Sequence, residues 1–192
     1  MTKPYSNDRG DGYEEQYVKE RLRDLDELKL GAYPKAMSVL VALELKPATE
    51  VAVAAHNDEP EAVRRALEKA GLKVMERTSD SRFQGATRFI VAKTDEIIAE
   101  IATLDPTKEE DARRYGELMG FLPSMIDAYA RKIERLPDDE WPEDVRIFEP
   151  VLSRGNAEEE VTYLRKWKTA LEHYAPKTYE QLIGGARKVG KL

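Results

Sequence analysis

The apolar positions change period along this chain, and the changes mark its elements. Tyr17, Val18, Leu22, Leu25 and Leu28 recur at helical spacing and predict a first helix over residues 14–28, with Gly31 as its stop. Pro34 opens a second helix carrying Met37, Leu40, Val41 and Leu45, which Pro47 ends. Residues 50–56, running from Glu50 through Val51 and Val53 to His56, read as a buried strand. Asp58 then caps a helix with Pro60 in its first turn. Val63, Ala66, Leu67 and Ala70 face inward along it and Gly71 closes it. Residues 72–78 and 86–92 read as two further strands around a polar turn at 79–84. Residues 95–104 read as a helix with Ile97, Ile98 and Ile101 inward.

That order, β-α-β-β-α, predicts an α+β fold built on a small three-stranded mixed sheet. The first two strands are parallel if adjacent, and the last two form a hairpin. Helices covering one face would complete part of a split β-α-β sandwich. From Asp105 onward the pattern is helical throughout. Thr107 and Glu110 make a capping box, and Tyr115, Leu118, Met119 and Leu122 follow. Pro123 breaks the run, after which Met125, Ile126, Tyr129 and Ile133 continue a helical stripe. An acidic, proline-bounded connector around Trp141 covers 137–150. Asn156 caps a helix whose first turn holds Glu158, Glu159 and Glu160, and Pro176 opens a last helix. The expected organisation is a disordered arm (1–13), an α/β core with two N-terminal helices (14–104), a helical part packed on that core (105–183) and a flexible basic tail (184–192).

Composition narrows the function classes. Hydrophobic residues make up 41% of the 192, enough to fill a core without disulfides or structural metals. The net charge of -6 argues against a nucleic-acid or membrane-surface binder, which needs a positive field. Cysteine is absent, which excludes disulfides, thiolate metal sites, iron–sulfur clusters and cysteine nucleophiles. No apolar stretch approaches the ~20 residues that span a bilayer, and no signal peptide opens the chain, so a cytoplasmic location is expected. Amides are few and charges many. That balance is common in thermophile proteins and equally in mesophile chains with a helix-rich surface.

Candidate chemistry is sparse. His56 ends the first strand just before a helix start, where α/β folds place anionic ligands, and Asp58 stands beside it. Arg77, Arg82 and Arg88 fall on and around the hairpin, and with His56 and Asp58 they could line a small-molecule or nucleotide pocket. The plainer alternatives are a capping histidine and arginines that blunt a sheet edge. His173, beside Tyr174 near a helix end, is explained by the helix dipole. No phosphate loop, dinucleotide fingerprint, nucleophile elbow or metal-ligand spacing is present, so neither cofactor nor metal is expected. Tyr115, Phe121, Tyr129, Trp141 and Trp167 are the aromatic contact candidates, with core packing as the alternative for both tryptophans.

The run Gly116-Glu117-Leu118-Met119-Gly120-Phe121-Leu122-Pro123-Ser124-Met125-Ile126-Asp127-Ala128-Tyr129 resembles a motif of the largely archaeal domain-of-unknown-function family 483. That motif is a G-x-L-L-G-Y-P-type run followed by two adjacent cysteines, with an apolar residue next and an aromatic further on. A second part of the pattern is a proline-cysteine, three residues and another cysteine before a helix. Here it aligns with Pro150-Val151-Leu152-Ser153-Arg154-Gly155. The resemblance covers the C-terminal half and, more loosely, the rest. This chain has Ser124, Met125, Val151 and Gly155 where the family has cysteines, and Leu122-Pro123 where it has tyrosine-proline. The resemblance implies shared fold and archaeal ancestry but no reaction. It also implies that the four substituted positions lie close together in space, without the metal that four cysteines could hold.

These observations favour a non-enzymatic binding protein acting through a protein partner or its own copy. The rivals are a small-molecule binder or enzyme with a pocket near His56, and an RNA- or ribosome-associated factor using Arg64, Arg65, Arg113, Arg114 and the basic tail.

Overall fold

The computed structural model describes residues 10–54, 60–77 and 86–188. The expected arm therefore lies outside the described residues up to position 9, as do His56, Asp58, Arg82 and the polar turn at 79–84. Among the described residues the chain begins with helix α1 (Gly10–Glu27) and α2 (Ala32–Ala42). It continues with strand β1 (Ala48–Ala54), α3 (Pro60–Lys69), strands β2 (Lys73–Arg77) and β3 (Ala86–Ala92), and helix α4 (Asp95–Thr103). Then come α5 (Glu109–Leu118), α6 (Pro123–Tyr129), two 3-10 segments (Asp138–Glu140 and Glu143–Phe148), α7 (Ala157–Tyr174) and α8 (Pro176–Lys188).

The α+β class and the helical C-terminal half are as the sequence implies. The sheet is antiparallel rather than mixed, because β3 lies in the middle and the strand order is β1-β3-β2. β1 and β2 do run the same way, but β3 separates them, which is the split β-α-β arrangement. Both faces of the sheet are covered, not one. Val51 and Val53 of β1, with Phe89 and Val91 of β3, share one core with Val63 and Leu67 of α3 and with α2. Ala48, Ile90 and Ala92 on the opposite face pack against Ile98 and Ile101 of α4 and against Leu118 and Met119.

Helix α2 is the hub of the larger core. It is apolar nearly all round, and every residue from Lys35 to Ala42 is buried, as a helix with no polar face must be. It packs on β1, α1, α7 and α8, so N-terminal and C-terminal segments share one core that includes Leu22, Leu40, Trp167, Leu171 and Leu182.

Helix ends explain most of the remaining differences. Gly71 closes α3 in the left-handed region (φ 76), with its own N–H on the Glu68 carbonyl and that of Leu72 on the Leu67 carbonyl. The same double bond pattern closes α2 at Glu44 (φ 60) and α6 at Arg131 (φ 57). Neither residue is a glycine, so the sequence carries no stop signal there. Helix α2 accordingly ends before Leu45, and Ile133 lies past α6 instead of continuing its stripe. From Asp105 the chain is not helical throughout. Between α6 and α7 it makes the two 3-10 segments and an antiparallel bridge between Arg135 and Ser153.

The capping box at Thr107 does not form. The Thr107 hydroxyl donates to Asp105, and α5 starts at Glu109 without a side-chain cap. Asn156 sits at the cap position of α7, but its amide donates to the Ser153 hydroxyl. Helix α8 runs to Lys188, so residues 184–188 are helical and not a flexible tail, and α1 begins at Gly10, inside the expected arm. No helix among the described residues is long and apolar enough to cross a membrane.

Candidate functional site

The α5–α6 hairpin builds a partly enclosed concavity. Gly120, in the left-handed region at φ 81, ends α5: its N–H bonds the Glu117 carbonyl, and the N–H of Phe121 bonds that of Gly116. Gly116 also lets α6 come close, since a Cβ there would meet the Ile126 side chain at 2.9 Å. Two ion pairs clamp the helices across the gap, Arg113 to Asp127 at 2.7 Å and Lys132 to Glu109 at 3.0 Å.

Between these helices and the chain at Glu149 and Val151 lies a cavity of about 710 Å³. Ala112, Tyr115, Met119, Phe121, Met125, Ile126 and Tyr129 are among its lining residues. Its volume falls within the ~300–1,000 Å³ of small-molecule sites, which are mostly apolar. Both basic side chains lining it are the ones held in the ion pairs above, so the wall offers an anion no open cation.

Phe121 links this cavity to the interior. Its ring packs against both cores and lies beside Lys46, whose Nζ is 5.4 Å from the ring centroid. Lys46 follows α2 and is 4% exposed. Its Nζ donates to the Met37 sulfur at 3.4 Å and lies 4.9 Å from the Trp167 ring. Burial pushes the Lys46 amine down to about 7. Tyr163 of α7 fixes the surrounding backbone, its hydroxyl donating to the Gly120 carbonyl at 2.9 Å and to that of Leu45 at 3.3 Å.

A second cluster spans the three strands near the end of β2. Register places Arg77 opposite Arg88, and Glu50 is two positions along β1 from Ala52, which also faces Arg88. One Glu50 carboxylate oxygen accepts from Arg77 at 2.8 Å and from the Tyr115 hydroxyl at 2.6 Å, and the other accepts from Arg88. Burial alone would raise the Glu50 carboxyl. The Tyr115 hydrogen bond, the Arg88 charge and the hydrogen bonds from both arginines outweigh it and bring the group below its ordinary value. Burial, reinforced by Glu50, pushes the Tyr115 hydroxyl above its ordinary value.

Of the residues singled out in the sequence, Arg77 and Arg88 thus meet on Glu50, while His56, Asp58 and Arg82 lie outside the described residues. Tyr115, Phe121 and Tyr129 converge on one cavity. Trp141 and Trp167 are interior: the Trp141 indole N–H donates to the Leu136 carbonyl at 3.0 Å, and Trp167 stacks edge-on against Phe148 and Tyr163. Both are therefore core residues and offer no exposed contact. Met125 and Val151 line the same cavity. Gly155 lines a shallow depression at the start of α7 instead, and Ser124 lines neither. Arg64 pairs with Glu61 and Glu76, Arg65 with Glu61, and Arg114 with Glu100 and Glu117. Among the described residues no group of three or more His, Asp or Glu side chains is placed to hold a metal.

The sequence reading missed Glu50 and Lys46. For Glu50 the available signal was a carboxylate inside an apolar strand, on the same alternation as the arginines it binds. For Lys46 there was none beyond a lysine between two apolar segments.

Comparison with models of known families, with curated proteins and with solved structures found no match.

Proposed function

We propose that this protein is a binding protein that holds an apolar guest of small-molecule size in the α5–α6 cavity. The observation that carries this reading is a partly enclosed, largely apolar space of about 710 Å³ whose lining cations are already paired. Such a wall selects by shape and apolar area. Titration with the uncharged probe N-phenyl-1-naphthylamine is expected to give saturable fluorescence at one probe per chain. Ala112→Trp, which fills the space from a partly buried position on α5, is expected to weaken binding about tenfold or more, the scale set by losing ~1.4 kcal/mol. Absence of saturable binding, or equal binding by a variant that unfolds like the parent, would overturn the reading.

Tyr129, 77% exposed on the cavity wall, and Ile133, 40% exposed just beyond it, favour a second reading. In it, the same face meets a protein partner or a second copy of the chain. A light-scattering mass that stays at 21.9 kDa at high concentration would remove the second copy.

A further inference from the structure

Lys46 lies where α2 gives way to β1, and its amine is enclosed by the Met37 thioether sulfur and the rings of Trp167 and Phe121, with no oxygen acceptor among the described residues. A lysine buried for structure finds an oxygen, as Lys35 does at the Asp26 carbonyl, 3.0 Å away. The aromatic faces favour the ammonium form, but loss of water outweighs them. With its amine brought down to about 7, Lys46 presents a substantial share of free base at neutral pH, the form that attacks an electrophile.

The position of the amine adds to this. Its aliphatic stem runs directly over Gly120, where a Cβ would meet the Lys46 side chain at 3.0 Å. Its head lies beside the Phe121 ring, 5.4 Å from the centroid, and Phe121 is one of the residues lining the cavity. Phe121 therefore adjoins both a buried amine whose hydrogen-bond acceptor is a sulfur and a cavity of ligand size.

We propose that Lys46 is a reactive amine that captures the carbonyl group of an apolar aldehyde held in the α5–α6 cavity. This rests on the apolar-guest reading above. The apolar tail of the guest fills the cavity and its carbonyl end meets Phe121, whose ring turns aside to admit it. The Nζ lone pair adds to the carbonyl carbon, and the C=O electron pair moves to oxygen. The two N–H protons pass to that oxygen, and water leaves as the C=N bond forms. Nothing is oxidised or reduced. The neutral imine suits surroundings that disfavour an ammonium. A carbamate formed from carbon dioxide would instead place an unpaired anion there, at a large desolvation cost.

The test incubates the full chain with nonanal and cyanoborohydride, whose hydride fixes any imine as a secondary amine, and maps the modified lysines by peptide mass. Lys46 is expected to label about tenfold faster than the exposed Lys19 and Lys69, as a desolvated amine should. Nonanol, which fills the cavity but forms no imine, and Ala112→Trp are each expected to suppress labelling at Lys46 alone. Labelling at Lys19 and Lys69 with none at Lys46 overturns the proposal. Binding of N-phenyl-1-naphthylamine in that case would leave the cavity reading standing, and its absence would remove both. Lys46 labelling untouched by nonanol and by Ala112→Trp overturns the route through the cavity.

Discussion

Two lysines at opposite ends of the same helix are both removed from water, and the molecule treats them differently. Lys35, in the first turn of α2, is fully buried and spans to the end of α1, where its Nζ donates to the Asp26 carbonyl at 3.0 Å. The Asp26 carboxylate in turn accepts from the Thr178 N–H at 2.7 Å and so satisfies the first turn of α8. Burial lowers the Lys35 amine and the Asp26 charge opposes that shift. At the other end, Lys46 meets sulfur and two aromatic rings. An ion in a low-dielectric interior is tolerable when its hydrogen-bonding capacity is met and costly when it is not. The first lysine ties three helices together. The second is a cost carried by the fold, and costs of that kind gather at sites that use them.

The sharpest way to break this contrast is to remove both amines. Lys46→Met keeps the length of the stem and discards the charge. It is expected to stabilise the protein at pH 7 by about 4 kcal/mol, because a pKa lowered from 10.5 to about 7 is worth ~1.4 kcal/mol per unit, less the half-unit or so already relieved at that pH. The pH dependence has a definite sign. Below pH 7 the amine is charged in both the folded and the unfolded chain, and the full penalty applies. Between about 7 and the ordinary value of 10.5 the unfolded chain binds more protons, so stability rises with pH, at most by ~1.4 kcal/mol per unit. Urea unfolding from pH 7 to 9 should show this slope in the parent and a shallower one in Lys46→Met. Equal slopes would mean that Lys46 is charged in the folded protein.

Lys35→Met should move stability the other way. It strips the donor from a buried carbonyl and a neighbouring charge from Asp26, a loss of about 2 kcal/mol for a charge-assisted bond. Opposite signs for the two substitutions in one urea series at pH 7 are the expected result. The same sign for both would remove the distinction between a lysine that joins helices and one that is kept at a cost.

The difference between the two ends of α2 also shows what a sequence carries. Local signals were readable. Pro60 and Gly71 bracket α3, the third strand runs over residues 86–92 as expected, and Pro176 opens α8. The strand order was not readable, because the β2–β3 hairpin is a local event. Nothing near β1 says that it will pair with the far side of β3. Tyr115, Phe121 and Tyr129 could be named as a group of aromatics, yet only the Gly120 turn and the approach of Ile126 to Gly116 shape them into a cavity. Lys46 was invisible for the same reason. A lysine between a helix and a strand reads as solvent-facing until Phe121 and Trp167, both distant in the chain, close over it.

Gly120 offers the smallest and most local probe of that closure. Its φ of 81 is the left-handed region that a side chain resists, and the Lys46 stem leaves no room for a Cβ. Gly120→Ala is therefore expected to cost about 1–2 kcal/mol from the backbone alone, with crowding added. The two contributions can be separated. In a Lys46→Ala background the Cγ and Cε atoms that would lie 3.0 and 3.2 Å from the new methyl are gone while Cβ, at 3.2 Å, stays, so Gly120→Ala should cost less there than in the parent. A gap of about 0.5 kcal/mol or more between the backgrounds is the coupling expected of residues in direct contact. An identical cost in both would show that the Lys46 stem beyond Cβ adds nothing to the crowding at Gly120, and that the glycine serves the end of α5.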